Sequence, residues 1–124
     1  MAVEDGAVLG KLLGLLNSEQ SSNNVTSASV SDVLKLYESL RKDRTTTIVQ
    51  GAVSNRKMYH LPDGAEQEKR DLSLKMADWI GPNEWNWADP EKQRALLGFN
   101  AIGNAERAFE KWIKSRQPMS AVRL

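Results

Sequence analysis

Arg41-Lys42-Asp43-Arg44-Thr45-Thr46-Thr47-Ile48-Val49-Gln50-Gly51-Ala52-Val53-Ser54-Asn55-Arg56-Lys57-Met58-Tyr59-His60-Leu61 is the stretch on which the fold class turns. Thr45 to Val49 is the chain's β-branched run, Lys57 to Leu61 is a second segment of strand composition, and Ser54-Asn55-Arg56 sits between them as a turn. The composition therefore predicts a β-hairpin over about residues 45–61. Two strands alone are marginal in water, so the hairpin must lie on helices or lend its edges to another chain.

Upstream, Ser29 or Ser31 caps a helix running to about Lys42, with Val33, Leu36, Tyr37 and Leu40 on one face. Its basic end, Arg41-Lys42-Asp43-Arg44, offsets the negative end of the helix macrodipole. Before it, residues 18–30 are rich in serine and asparagine and read as a polar linker. Residues 1–17 carry Val8, Leu9, Leu12, Leu13, Leu15 and Leu16 at helical spacing and read as an N-terminal helical arm. Gly6, Gly10 and Gly14 weaken that helix by about 1 kcal/mol each relative to alanine. Spaced four apart, they also line a stripe that another backbone could approach closely, so Gly6, Gly10, Gly14, Leu9 and Leu13 are the candidate self-association residues. The plainer alternative docks the same helix on the chain's own core.

Downstream, Asp63 with Glu66 has the spacing of a capping box, which predicts a helix from about Ala65 to Ile80 with Leu72, Met76, Trp79 and Ile80 as its buried stripe. Gly81-Pro82 should end it. Asp89-Pro90-Glu91-Lys92-Gln93 is the sharpest local signal, an N-cap acid followed by proline at the first helical position. Apolar residues keep helical spacing from Leu97 to Ile113, and Gly98 and Gly103 either bend that helix or divide it. The expected whole is mainly α with a small β-hairpin: one helical domain over residues 31–124, preceded by the linker and the arm.

All four tryptophans fall between Ala77 and Lys114, and Trp85 and Trp87 flank one asparagine in the loop of residues 81–90. Each indole hides a large apolar area but carries an N–H that wants a partner. Trp85 and Trp87, two apart, share a face that either plugs the gap between helices or anchors a protein partner.

Composition narrows the function classes. A hydrophobic content of 40% and a charged content of 27% are those of a folded water-soluble chain, which argues against disorder and a membrane bundle. Without cysteine there are no disulfides and no thiolate metal sites. The N-terminus shows acids where a secretory signal needs cations, and the apolar run from Ala7 to Leu16 is too short to span a bilayer. The expected location is inside the cell or within an assembled particle.

Catalytic groups are scarce. His60 is the sole histidine and sits beside Tyr59 in the expected hairpin; Asp78 and Glu84 are the one carboxylate pair worth weighing for acid and base work. No phosphate-binding loop is present, so no catalytic, metal or cofactor residue is assigned and no cofactor is expected. With 17 Lys+Arg against 16 Asp+Glu, attraction to nucleic acid must be local. Arg44, Arg56 and Lys57 on the hairpin, with Arg107, Lys111 and Lys114 on the last helix, are the residues that could track phosphates.

The leading functional expectation is thus a non-catalytic structural or interaction protein acting by self-association or partner docking. Nucleic-acid binding, RNA included, is second, and a small enzyme third.

Overall fold

The computed structural model describes residues 1–22 and 27–116. They form five α-helices: α1 (Ala2–Ser21), α2 (Val30–Tyr59), α3 (Ala65–Met76), α4 (Pro90–Leu97) and α5 (Ala101–Arg116). Among the described residues there is no strand, so the expected β-hairpin over residues 45–61 is wrong, while the expectation of a mainly helical chain holds.

Residues 45–59 instead prolong α2 without interruption. Three physical reasons favour this outcome. β-branched residues cost a helix only a few tenths of a kcal/mol each, whereas extending an established helix adds a hydrogen bond per residue without a new nucleus. Thr45 turns its hydroxyl back onto the Arg41 carbonyl at 2.6 Å, satisfying its polar group inside the helix. The supposed turn Ser54-Asn55-Arg56 also lacks the glycine that tight hairpins need, and among the described residues no third strand covers a hairpin face. The helix ends where His60 N–H bonds the Arg56 carbonyl and Pro62 follows.

The chain divides into two compact units, residues 1–45 with 100 onward, and residues 46–99. In the first, α1 lies on α5. Val8, Leu12 and Leu16 of α1 are buried with Ala28, Val33 of α2, and Ala105, Phe109 and Ile113 of α5. Leu36, Tyr37, Leu40 and Trp112 close around them. The segment expected as an arm is therefore part of a core, and α1 runs through Ser21, into the stretch read as linker. The linker positions 23–26 lie outside the described residues, as does Pro118. Gln20 Nε2 donates to the Ala28 carbonyl at 3.2 Å, tying the end of α1 to the approach to α2.

Ser29 caps α2 reciprocally: its hydroxyl oxygen accepts the Asp32 N–H at 3.2 Å, and its own N–H donates to Asp32 Oδ2 at 3.1 Å. Those bonds to Ser29, with help from Arg116, hold the Asp32 carboxyl down at about 2.

In the second unit α3 starts at Ala65, as expected, but from Gly64 rather than from an Asp63 capping box, and no side-chain cap is formed. Gly64 takes φ 146°, a conformation that favours glycine. The helix stops at Met76, short of the expected Ile80. Asp78 explains the early stop: its Oδ1 accepts the Ile80 N–H at 2.9 Å, and its carbonyl accepts from Asn83 Nδ2 at 3.0 Å. Such local side-chain bonds compete with the helical ladder.

The run from Pro90 is divided at Gly98, where an added Cβ would meet the Arg94 carbonyl oxygen at 2.7 Å. Asn100 then restarts the chain as α5, its Oδ1 accepting the Gly103 N–H at 2.8 Å. Gly103 thus lies inside the first turn of α5 and breaks nothing.

Candidate functional site

Within the second unit, the segment between α3 and α4 is folded around Asp89 and Asn83. Asp89 Oδ1 accepts the N–H groups of Glu91 and Lys92 at 2.9 and 3.0 Å, which caps α4 as its sequence foretells. Asp89 Oδ2 accepts the Asn83 N–H at 2.9 Å, and Asn83 Oδ1 accepts the Trp85 N–H at 2.9 Å. The donated backbone bonds, that of Asn83 first, hold the Asp89 carboxyl below the usual range. Ala88 and Asp89 both donate to the Trp85 carbonyl, closing a tight loop.

That loop sets the tryptophans. Trp79 and Trp87 meet at a ring-centroid distance of 5.3 Å, tilted by 45°. Trp87 is half-buried, while Trp79 stays 52% exposed. Trp85 lines an open cleft of about 310 Å³ with Glu66, Lys69, Arg70, Ser73 and Glu84. The indole N–H groups of Trp85 and Trp87 are buried without a hydrogen-bond partner.

The stripe expected to be buried is open. Leu72 is 58% exposed, Met76 76% and Ile80 89%, so together with Trp79 the end of α3 and the chain beyond it present an apolar strip to solvent. Sequence periodicity identifies such a strip but not what covers it.

The other candidates fall apart chemically. Glu84 is hydrogen-bonded to Ser73, Asp78 is engaged by the Ile80 N–H, and His60 is exposed just beyond α2. No group of three His, Asp or Glu side chains able to hold a metal ion occurs among the described residues. On α1, Gly6, Gly10 and Gly14 are exposed and an added Cβ at each would meet nothing within 4 Å, whereas Leu9 and Leu13 are half-buried, Leu13 packed against the core.

Among the expected phosphate-tracking residues, Arg44 is bonded to Glu4, Nε to Oε1 at 2.7 Å and Nη2 to Oε2 at 3.0 Å. Arg56 and Lys57 lie exposed on the last turn of α2, and Arg107, Lys111 and Lys114 lie exposed on α5.

One cluster escaped the sequence reading entirely. Arg41 is 4% exposed, its Nε bonding Asp5 Oδ1 at 2.7 Å and its Nη1 bonding Glu4 Oε1 at 2.5 Å. Burial opposes its charge, but the bonds to Asp5 and Glu4 outweigh that and raise its pKa. Glu4 is held at about 2, chiefly by its bond to Arg44. Spacings of 36 to 40 residues leave no local signature of such a cluster.

No family model matches the chain, and no solved structure does. Among curated proteins, it is 36% identical over 109 residues to the FAD-dependent monooxygenase OpS4 of Beauveria bassiana (strain ARSEF 2860). The match covers 86% of this chain and only 23% of the relative, so the chain spans about a quarter of that protein's length. A likeness to a monooxygenase stands against the expectation of a non-catalytic protein. The flavin named there has a dinucleotide's phosphates, commonly cradled by a glycine-rich turn between a strand and a helix. The described residues, helical and without a strand, do not form that cradle. Among them, no helix is long and apolar enough to cross a membrane.

Proposed function

We propose that this chain is a helical docking module of a flavin-dependent monooxygenase, seated on the flavin-binding polypeptide rather than carrying the phosphate cradle itself. The observation behind this reading is the 36% identity over 109 residues to a monooxygenase of which the match occupies 23%. The helical character of the described residues and the apolar strip at the end of α3 are consistent with a piece that completes a larger body. Co-expression with the Beauveria bassiana monooxygenase from which the aligned segment has been deleted is the test. The expected result is co-purification of the two polypeptides with flavin absorbance in the shared peak. Separate elution, with flavin absent from any fraction containing this chain, overturns the reading.

A second reading, self-association through the glycine face of α1, draws support from the open space beside Gly6, Gly10 and Gly14. Light scattering decides it, because a monomeric mass across concentrations removes it.

A further inference from the structure

We propose that Arg107, Lys111 and Lys114 on α5 form a docking row for the phosphate backbone of a duplex nucleic acid, bound without regard to its sequence. The three stand four and three residues apart, so they share one face of the helix in a row roughly 10 Å long. The other side of α5 is fixed: Ala105, Phe109 and Ile113 are buried in the core of the first unit, and Glu106 is held by Lys11 at 2.5 Å. All three cations are exposed, and among the described residues none of them stands in an ion pair. Acids of the same unit are already taken, Glu4 and Asp5 by Arg41, Glu4 again by Arg44, Asp32 by Arg116 and Glu106 by Lys11. Internal pairing thus consumes carboxylates and leaves this row facing water, a local positive field that the net charge of +1 conceals. Glu110, exposed on the flank of the row, opposes it.

The chemistry of the face selects the occupant. At the head of the row Arg107 folds back over Gly103, where an added Cβ would meet Arg107 Nη1 at 3.2 Å and Asn100 Nδ2 at 2.9 Å. A guanidinium beside an amide N–H is a pair of donors of the kind that phosphate oxygens accept. A protein interface would need apolar or aromatic anchors at its centre, and the row supplies none. Trp112, the aromatic residue nearest to it in the helix, is committed elsewhere: its ring meets Phe109 at 5.5 Å and lies under the Arg116 guanidinium at 4.6 Å. Without a stacking platform the face does not suit unpaired bases. An evenly charged, rigid polyanion fits it, since a duplex carries one negative charge per about 1.7 Å of axis, or about six along the length of the row. Arg44, grouped with these cations by its sequence, is excluded by its two bonds to Glu4.

Fluorescence anisotropy of a labelled DNA duplex of about 20 base pairs, titrated with the full chain, tests the assignment. The expected Kd is on the order of 10 µM at about 20 mM salt, and the logarithm of affinity should fall against the logarithm of salt with a slope of about −3, close to one for each cation. The triple variant Arg107→Gln, Lys111→Gln, Lys114→Gln should keep the parent's circular dichroism, because all three positions are exposed, and should bind at least about tenfold more weakly. Lys111→Gln alone should flatten the slope by about 1. Glu110→Gln should bind about twofold tighter at the low salt, a gain that a damaged fold does not produce. Arg56→Gln with Lys57→Gln, exposed on α2, is the control and should bind as the parent does. No binding by the parent at low salt overturns the proposal, as does equal binding by the parent and the triple variant. A polyglutamate peptide bound as tightly as the duplex assigns the row to an acidic protein and overturns it too. Tighter binding of a single strand than of the duplex removes the duplex assignment.

Discussion

Arg41 shows what a single buried residue does here. Its guanidinium is 4% exposed and joins α2 to Glu4 and Asp5 in the first turn of α1, where acids also suit the helix macrodipole. Arg41→Met should destabilise the chain by about 3 kcal/mol in urea unfolding, because it takes from Asp5 its bonded cation and from Glu4 one of the two cations bonded to it. The cluster, together with Asp32 beside its Ser29 cap, predicts a pH dependence. Glu4 titrates at about 2 in the folded chain against an ordinary 4.5, and Asp32 at about 2 against 3.8, so the fold favours the charged forms. Their stabilisation is complete above the ordinary values and is lost as the pH falls toward 2. Denaturant midpoints should fall across that acid window, and Arg44→Met, which removes the chief partner of Glu4, should flatten the Glu4 contribution more than Arg41→Met does. Gly10 makes the opposite case: an added Cβ meets nothing within 4 Å, so Gly10→Ala should raise stability by about 0.5 to 1 kcal/mol. Unchanged or lowered thermal stability would mean that something packs on that face. Sequence alone made Asp89 legible as a cap and Ser29 as one of two candidate caps beside Ser31, since every partner lies within a few residues. It misread Arg41 as a macrodipole cation, because its partners are 36 and 37 positions away.

At the scale of elements, α2 is the decisive case. Its first half is anchored by Val33, Leu36, Tyr37 and Leu40 at the core of the first unit, and once that half exists the β-branched run from Thr45 simply extends it. Ile48→Pro, placed in the helix interior, should cost about 3 kcal/mol or more and reduce the helical circular dichroism signal. An unchanged helical signal would contradict a continuous α2. For α1 the test is Leu12→Ala: a side chain with 0% exposure between α1 and its neighbours should cost about 3 kcal/mol on truncation. A loss well under 1 kcal/mol would instead fit a segment that hangs free as an arm. Strand composition in residues 45–49 is a weak prior, and the helical neighbours on either side overrode it.

For the whole molecule, the two units differ in how much they bury. Around α1 and α5 there is a closed apolar cluster, whereas the unit of residues 46–99 buries Met58, Ala88 and Asp89 but leaves Leu72, Met76 and Ile80 open. That imbalance, with the partial match to a monooxygenase, is why the docking reading predicts flavin retention in the co-expressed complex and none by this chain alone. By itself the sequence determined the mainly helical character, a cap at Ser29 or Ser31, the start at Pro90 and the choice of Gly98 or Gly103 as the place where the last run bends or divides, because helical periodicity, capping bonds and backbone sterics act over a few residues. Only the tertiary structure decided that residues 45–59 belong to a helix, that α1 is core, that Arg41 is buried in an ion cluster and that the strip after Leu72 is uncovered. Burial and long-range pairing depend on which distant segments the chain brings together, and no local pattern records that.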